Sequence, residues 1–257
     1  MKIVVCLKQV PDTTEVKIDP KTGTLIRDGV PSIINPDDKN ALEEALAMGA
    51  EVTVISMGPP QAEKALREAL AMGAERAILI SDRAFAGADT LATSNALAGA
   101  IRKLDYDLIF AGRQAIDGDT AQVGPEIAEH LGIPQVTYVE KVEYFDEEGN
   151  VKVRRALEDG YEVISVKAPV LLTAIKELNK PRYMNMASIS ECYGKEITLW
   201  NADDIGVDRA LLGLAGSPTK VKKSGAKEAK GQGELVIKSY KEAADYAVMK
   251  LKEKHYI

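Results

Sequence analysis

The sequence is short of the groups on which most catalysis is built. Its 257 residues hold two cysteines and two histidines. Cys6 and Cys192 are far apart with no CxxC spacing, which argues against a disulfide or zinc framework and fits a reducing compartment, so a cytoplasmic location is expected. Neither His130 nor His255 has a Cys or Glu at ligand spacing, and each sits near an expected helix end, where a histidine serves the helix dipole rather than a metal. GxSxG, HExxH and EF-hand loops are missing, so nothing nominates a nucleophile or a hydrolytic metal. Long apolar runs are missing too. Ile3 to Leu7 is too short for a signal-peptide core, and no stretch of about 18 apolar residues is present to enter a membrane. Positive charge is in deficit. A net charge of −6 and a pI near 5.2 leave no basic field to gather nucleic acid.

What is present is alternation. KIVVCL, EVTVISM, RAILIS, YDLIFAG and PQVTYV are β-branched, nearly continuous apolar runs, as in strands covered on both faces. Helix patterns separate them: Pro36 to Met48 with Asn35 as its N-cap signal, Pro60 to Met72, and Thr90 to Leu104 capped by Asp89. The repeated EALAMGAE, Glu44 to Glu51 and Glu68 to Glu75, reads as two helix ends stopped by glycine. Such alternation predicts right-handed crossovers and a doubly wound, mostly parallel α/β sheet of Rossmann-like, adenine-nucleotide-binding type. After the fifth strand, VEYFDEEGNVKVRRAL reads as a hairpin and YEVISVKAPVLLTA as two more strands, which adds an antiparallel edge.

The expected division is an α/β nucleotide-binding domain over 1–197 and a C-terminal arm over 198–257. Within the arm, Ser217 to Gly233 lacks apolar periodicity and reads as a linker. Ser239 and Glu242 form a capping-box signal for a terminal helix over 239–254, with Tyr240, Ala243, Ala244, Ala247, Val248 and Leu251 on one face.

In a doubly wound sheet, ligands lie beyond the carboxyl ends of the strands, near the switch in strand order. The candidate segments there are Cys6 to Val10, Asn35 to Asp38, Met57 to Pro59, Ser81 to Thr90 and the loop opening at Gly112. That last loop, within AGRQAIDGDTAQVG, is long for a βα connection and matches neither GxGxxG nor GxxxxGK[ST]. Pro125 cannot donate a backbone hydrogen bond, so the next helix is expected to start at about Gln122 to Pro125, leaving the amides of Thr120 to Gly124 for an anion such as a pyrophosphate. Asp117 or Asp119 is then available to a ribose or ribityl hydroxyl, or to cap the turn, and Arg113 adds a positive charge.

These motifs resemble, in order and over essentially the whole chain, the β subunit of electron transfer flavoproteins. The resemblance rests on LKQVPD (Leu7 to Asp12), INPDDKNALEEAL (Ile34 to Leu46), ALAMGA (Ala69 to Ala74), GRQAIDGDTAQVG and LNKPRYMNMASI (Leu178 to Ile189). It implies pairing with an FAD-carrying α subunit and a nucleotide on Cys6, Asn35 to Asp38, Met57, and Gly112, Arg113, Gln114, Asp117, Gly118, Asp119, Thr120, Ala121, Gln122 and Val123. Conventional members hold AMP there and tend to carry Asn-Gln-Thr at the positions of Ala121-Gln122-Val123. GDTAQVGP, and GADTLATS with Asp89 and Thr90, look instead like the flavin-bifurcating branch. In that branch the β subunit holds a second FAD, and the electrons of NADH divide between ferredoxin or flavodoxin and a high-potential acceptor, a dehydrogenase or quinone-linked module.

Small Ala121 and apolar Val123 would leave room for the rest of a flavin nucleotide. PRYMNMASIS, Pro181 to Ser190, resembles the family's partner-recognition loop, with Met186 at the position of the apolar anchor and Arg182, Tyr183 and Ile189 around it. The resemblance also favours an arm that crosses to the α subunit. The alternatives are a conventional AMP-bearing subunit serving acyl-CoA-type dehydrogenases, or, in another class, a stand-alone adenine-nucleotide-binding regulator. An adenylate-transferring enzyme needs a Gly- and Ser-rich loop after the first strand, which Gln9 to Glu15 does not supply.

Overall fold

The computed structural model describes residues 1–12, 17–18, 25–26, 31–220, 233 and 235–257. Its strands are β1 Lys2–Cys6, β2 Gln9–Pro11, β3 Lys17–Ile18, β4 Leu25–Ile26, β5 Ser32–Ile34, β6 Glu51–Met57, β7 Arg76–Ile80, β8 Leu108–Gly112, β9 Gln135–Phe145, β10 Asn150–Leu157, β11 Gly160–Lys167, β12 Val170–Ala174 and β13 Ile197–Trp200. The α-helices are α1 Pro36–Ala47, α2 Glu63–Met72, α3 Thr90–Ile101, α4 Val123–Leu131, α5 Met186–Glu191 and α6 Tyr240–Glu253.

Nine strands form one sheet in the order β11-β10-β9-β12-β8-β1-β6-β7-β13. From β9 to β13 every neighbouring pair is parallel, and β9, β10 and β11 pair antiparallel at the edge. The chain winds from β1 through β6 to β7 on one side and then returns to β8 on the other side of β1. The switch in strand order therefore lies between β1 and β8, and their carboxyl ends are Cys6 and Gly112. One apolar cluster, around Leu42, Leu66 and Phe110, covers one face of the sheet; the other, around Ile55, Ile101 and Ile127, covers the opposite face. The doubly wound expectation is met.

The structure departs from the sequence reading at β12, which was read with the antiparallel edge but lies between β9 and β8, parallel to both and buried throughout, as its continuous apolar run suits. Residues 198–200, placed in the expected arm, form with Ile197 the ninth strand, paired with β7 from Ile197↔Ala77 to Trp200↔Ile80, with Ile197 packed on one apolar cluster and Trp200 on the other. The chain divides into two compact units, the first of them Met1–Lys223. The small pairs β2–β5 and β3–β4 were also unforeseen. Most of the expected linker, 221–232, lies outside the described residues.

The second unit, Ser224–Ile257, contains α6. The amide and hydroxyl of Ser239 both donate to Glu242 Oε2, at 3.2 and 2.7 Å, as the capping signal anticipated. No α6 residue is buried, and Tyr240, Val248 and Leu251 of its apolar face are exposed. Among the described residues no helix is long and apolar enough to cross a membrane.

Candidate functional site

The crest at the carboxyl ends of β1 and β8 is tied together by the first turn of α1. Asp38 is 7 % exposed; its Oδ2 accepts the Lys8 amide at 2.7 Å and its Oδ1 accepts the Gly112 amide at 2.9 Å. One carboxylate thus bridges the exits of both strands that flank the switch point. Burial pushes that carboxyl up to about 7, against the pull of hydrogen bonds from Asn35, Lys8 and Gly112. Burial, with the Asp38 charge, also pushes the Cys6 thiol far up, so Cys6 remains a neutral apolar wall at this edge.

Asn35 occupies the N-cap position of α1 but does not cap it. Its side chain reaches the long loop instead, with Nδ2 donating to Gln114 O at 2.8 Å and Oδ1 accepting the Ile116 amide at 3.0 Å. The loop is held at three further places. Lys8 Nζ lies 2.7 Å from Asp117 Oδ1, Gln114 Nε2 donates to Asp119 Oδ1 at 2.8 Å, and Arg113 Nε faces Asp37 Oδ2 at 3.5 Å. Burial raises the Asp37 carboxyl, and the Arg113 charge offsets part of that. The positive charge of Arg113 is therefore already opposed inside the protein. Asp117 and Asp119 are engaged through one oxygen each, and both have a second one.

Beyond Asp119 the loop turns unusual. Asp119 and Ala121 adopt left-handed backbone, with φ of 52° and 54°. For an alanine this costs about 1 kcal/mol, and such strain persists where surrounding structure holds it, commonly at ligand sites. Helix α4 then starts at Val123, within the expected range, and its first helical bond runs from the Glu126 amide to Gln122 O at 3.0 Å. Among the described residues nothing accepts a hydrogen bond from the amides of Thr120 to Gly124. Gly124 brings the helix start close to the sheet, since a Cβ there would lie 2.8 Å from Thr173 Cγ2.

The neighbouring helix start behaves differently. Asp89 caps α3 by accepting the Ala92 amide at 3.1 Å, and its Oδ2 also holds the Thr219 amide and hydroxyl at 3.0 and 2.8 Å. Partial burial works against that charge, but the hydrogen bonds win and keep the carboxyl below its usual range. Thr90 Oγ1 meets Glu126 Oε1 at 3.1 Å and Gln122 Oε1 at 3.4 Å, joining α3 to the first turn of α4. Asp89 is a structural clasp, and Thr90 is the residue of the pair that faces the crest loop. Met57, half-buried, ends β6 at the same edge.

One nearby residue was missed by sequence reasoning, and another, Lys8, lay within the candidate segment Cys6 to Val10 without being singled out. Lys8 clips Asp117, and Tyr138 enters at an irregularity of β9 with φ of 57°, its amide on Thr173 Oγ1 at 3.1 Å and its ring 5.7 Å from the Arg113 guanidinium. A bulge leaves no periodic trace, so no signal pointed to Tyr138.

The recognition-loop residues divide. Tyr183 and Met186 are 93 % and 82 % exposed, whereas Ile189 packs inward on the first core cluster and Arg182 is bound to Glu43 at 2.8 and 3.0 Å. Among the described residues no group of three metal-ligating side chains is assembled. His130, in the last turn of α4, lies 3.1 Å from Ser94 Oγ.

A parallel sheet with a long, amide-lined loop at its switch point is the architecture in which α/β proteins commonly place a nucleotide. Residues 22–205 match the electron transfer flavoprotein domain. The chain is 71 % identical over 261 residues to the electron transfer flavoprotein subunit beta of Clostridium acetobutylicum, covering all of both chains. It is 62 % identical over 262 residues to the subunit beta of Thermoanaerobacterium thermosaccharolyticum, and 58 % over 264 residues to subunit CarD of the caffeyl-CoA reductase-Etf complex of Acetobacterium woodii, again covering all of each chain. The chain belongs to the electron transfer flavoprotein family, with its similarity running the full length of β subunits.

Proposed function

We propose that this chain is the β subunit of a flavin-bifurcating electron transfer flavoprotein, with FAD on the crest between Cys6 and Gly112 and an α subunit as its partner. The observation that carries the reading is the run of amides from Thr120 to Gly124, without an acceptor among the described residues, at the start of a helix whose dipole favours an anion. That donor set fits a pyrophosphate. Bound there, FAD supplies acceptance of hydride from NADH and onward passage of electrons to ferredoxin or flavodoxin and, through the α-subunit FAD, to a high-potential acceptor. The protein's own part is placement. Asn35, Asp38 and Lys8 hold the loop, Asp117 and Asp119 offer oxygens to sugar hydroxyls, and Cys6 and Met57 line the edge. The name of the CarD relative, a subunit of a caffeyl-CoA reductase complex, supports a reductase partner. A cytoplasmic location belongs to the same proposal.

Purified αβ heterodimer is expected to contain two FAD per pair and to be reduced by NADH in stopped-flow absorbance. One FAD plus AMP would replace this reading with the conventional AMP-bearing subunit. Replacing Ala121 and Val123 with Asn and Thr is expected to lower FAD content at the crest. Asn tolerates left-handed backbone better than Ala, so Ala121→Asn alone should also raise stability in urea by about 0.5 kcal/mol. Unchanged flavin content in the double variant would place the FAD determinant elsewhere.

A further inference from the structure

Helix α1 buries Asp38, Asn40, Ala41, Leu42, Glu43 and Ala45, so half of its buried side chains are polar. Buried polar groups need partners, and here the partners fall on two functional segments. Asp38 goes to the crest, as described. Asn40 Nδ2 donates to Asn179 O at 2.8 Å, and Asn179 Nδ2 returns a bond to Asn40 O at 3.0 Å. Glu43 accepts the Arg182 guanidinium on both oxygens, at 2.8 and 3.0 Å, and the Arg182 amide at 3.0 Å. Asn179 and Arg182 form the entry stem of the loop that carries exposed Tyr183 and Met186. From Asn35 to Glu43 the helix spans only about 12 Å, so the two segments share one rigid rod.

We propose that α1 is a bracket that sets the separation and angle between the nucleotide crest and the partner loop, with Asn40 and Glu43 as positioning residues for the docking of a redox protein on that loop. The proposal rests on the crest and loop readings given above. A loop fixed to the helix that starts at the crest presents its exposed tip in one geometry relative to the crest without a separate hinge, so a docked protein is seated at a set place on the subunit. Arg67 of α2 holds the exit of the loop by donating to the carbonyls of Cys192 and Lys195, at 2.8 and 2.6 Å, so the entry bonds to α1 decide where the tip points.

The test uses the holo αβ heterodimer and the variants Glu43→Gln, Arg182→Glu and the exchanged pair Glu43→Arg with Arg182→Glu. Hydrogen exchange of amides 182–190 is expected to quicken about tenfold in Glu43→Gln and to return toward wild type in the exchanged pair. Exchange of amides 112–124, flavin content and NADH reduction of a small dye should stay at wild-type values. With caffeyl-CoA reductase as probe, KM for that enzyme should rise about tenfold while kcat is held. Unchanged loop exchange in Glu43→Gln, or a folded exchanged pair that fails to restore it, overturns the bracket. If the wild-type heterodimer exchanges no electrons with the reductase and the reductase fails to protect residues 183–190, the loop reading falls instead, and with it the positioning role.

Discussion

Gly112→Ala is expected to empty the crest of nucleotide. A Cβ at Gly112 would sit 2.7 Å from the Asp38 amide nitrogen and 2.9 Å from the Asp37 carbonyl carbon, and it would overlap Asp38 Oδ1. Two of these contacts are backbone, so no rotamer change relieves them, and either α1 or the end of β8 must move. Overpacking of this kind costs about 1–3 kcal/mol, which for a domain of this size lowers Tm by several degrees. The functional loss should be larger than the stability loss, because the displaced groups are those that shape the site. Gly194→Ala is the control: nothing lies within 4 Å of a Cβ there and its φ is unexceptional, so both nucleotide content and Tm should hold. Chromatography of the released nucleotide and a thermal melt measure both. A Gly112→Ala protein with wild-type nucleotide content would show that the close approach does not shape the crest.

Asp38→Asn should separate stability from binding, with a pH dependence of defined sign. The folded carboxyl is pushed up to about 7, whereas an unfolded aspartate titrates near 3.9. Between those values the folded state holds the extra proton, so the wild type loses stability as pH rises through this window and levels off above about 7. Asn does not titrate there. The variant should therefore gain on the wild type across this range, at a rate approaching about 1.4 kcal/mol per pH unit. Neighbouring charges on Asp37, Arg113 and the Lys8–Asp117 pair stay in place in both proteins. Binding moves the other way. Asn has one acceptor oxygen where Asp38 accepts two amides, so its NH₂ confronts either Lys8 or Gly112, and nucleotide affinity should fall about tenfold. Urea unfolding from pH 4 to 8 and nucleotide titration test both halves. A stability difference that is flat in pH would mean that Asp38 stays charged throughout.

How much of this was legible in the residues depends on which physics wrote them. The parallel core was in part, because strands buried on both faces must be apolar throughout, and KIVVC and LIFAG say so without help; VLLTA was read with the antiparallel edge, and only its parallel pairing with β8 and β9 places it in the core. The start of α4 was legible because Pro125 has no amide to give. β13 was not: ITLW is four residues long and looks like any short apolar run until β7 presents an open edge. The long loop was singled out by its length, and its charges were read as available. Distant partners decide that, and Asp37 and Lys8 lie 76 and 109 residues away from Arg113 and Asp117. Asn35 shows the same limit from the other side, since a residue that reads as a helix cap is used to tie down Gln114 and Ile116.

The buried polar side of α1 also bears on how the molecule is made. Its bonds close over 74 residues to Gly112 and 139 residues to Asn179 and Arg182. A chain emerging from the ribosome exposes this helix long before those partners exist, and until then Asp38, Asn40 and Glu43 have only water to satisfy them. Contacts so far apart in sequence close late, after the local helices and the central strands. The seating of the exposed loop against the crest is thus acquired near the end of folding, and a nascent chain stalled before Arg182 would hold a helix whose polar face still lacks its partners.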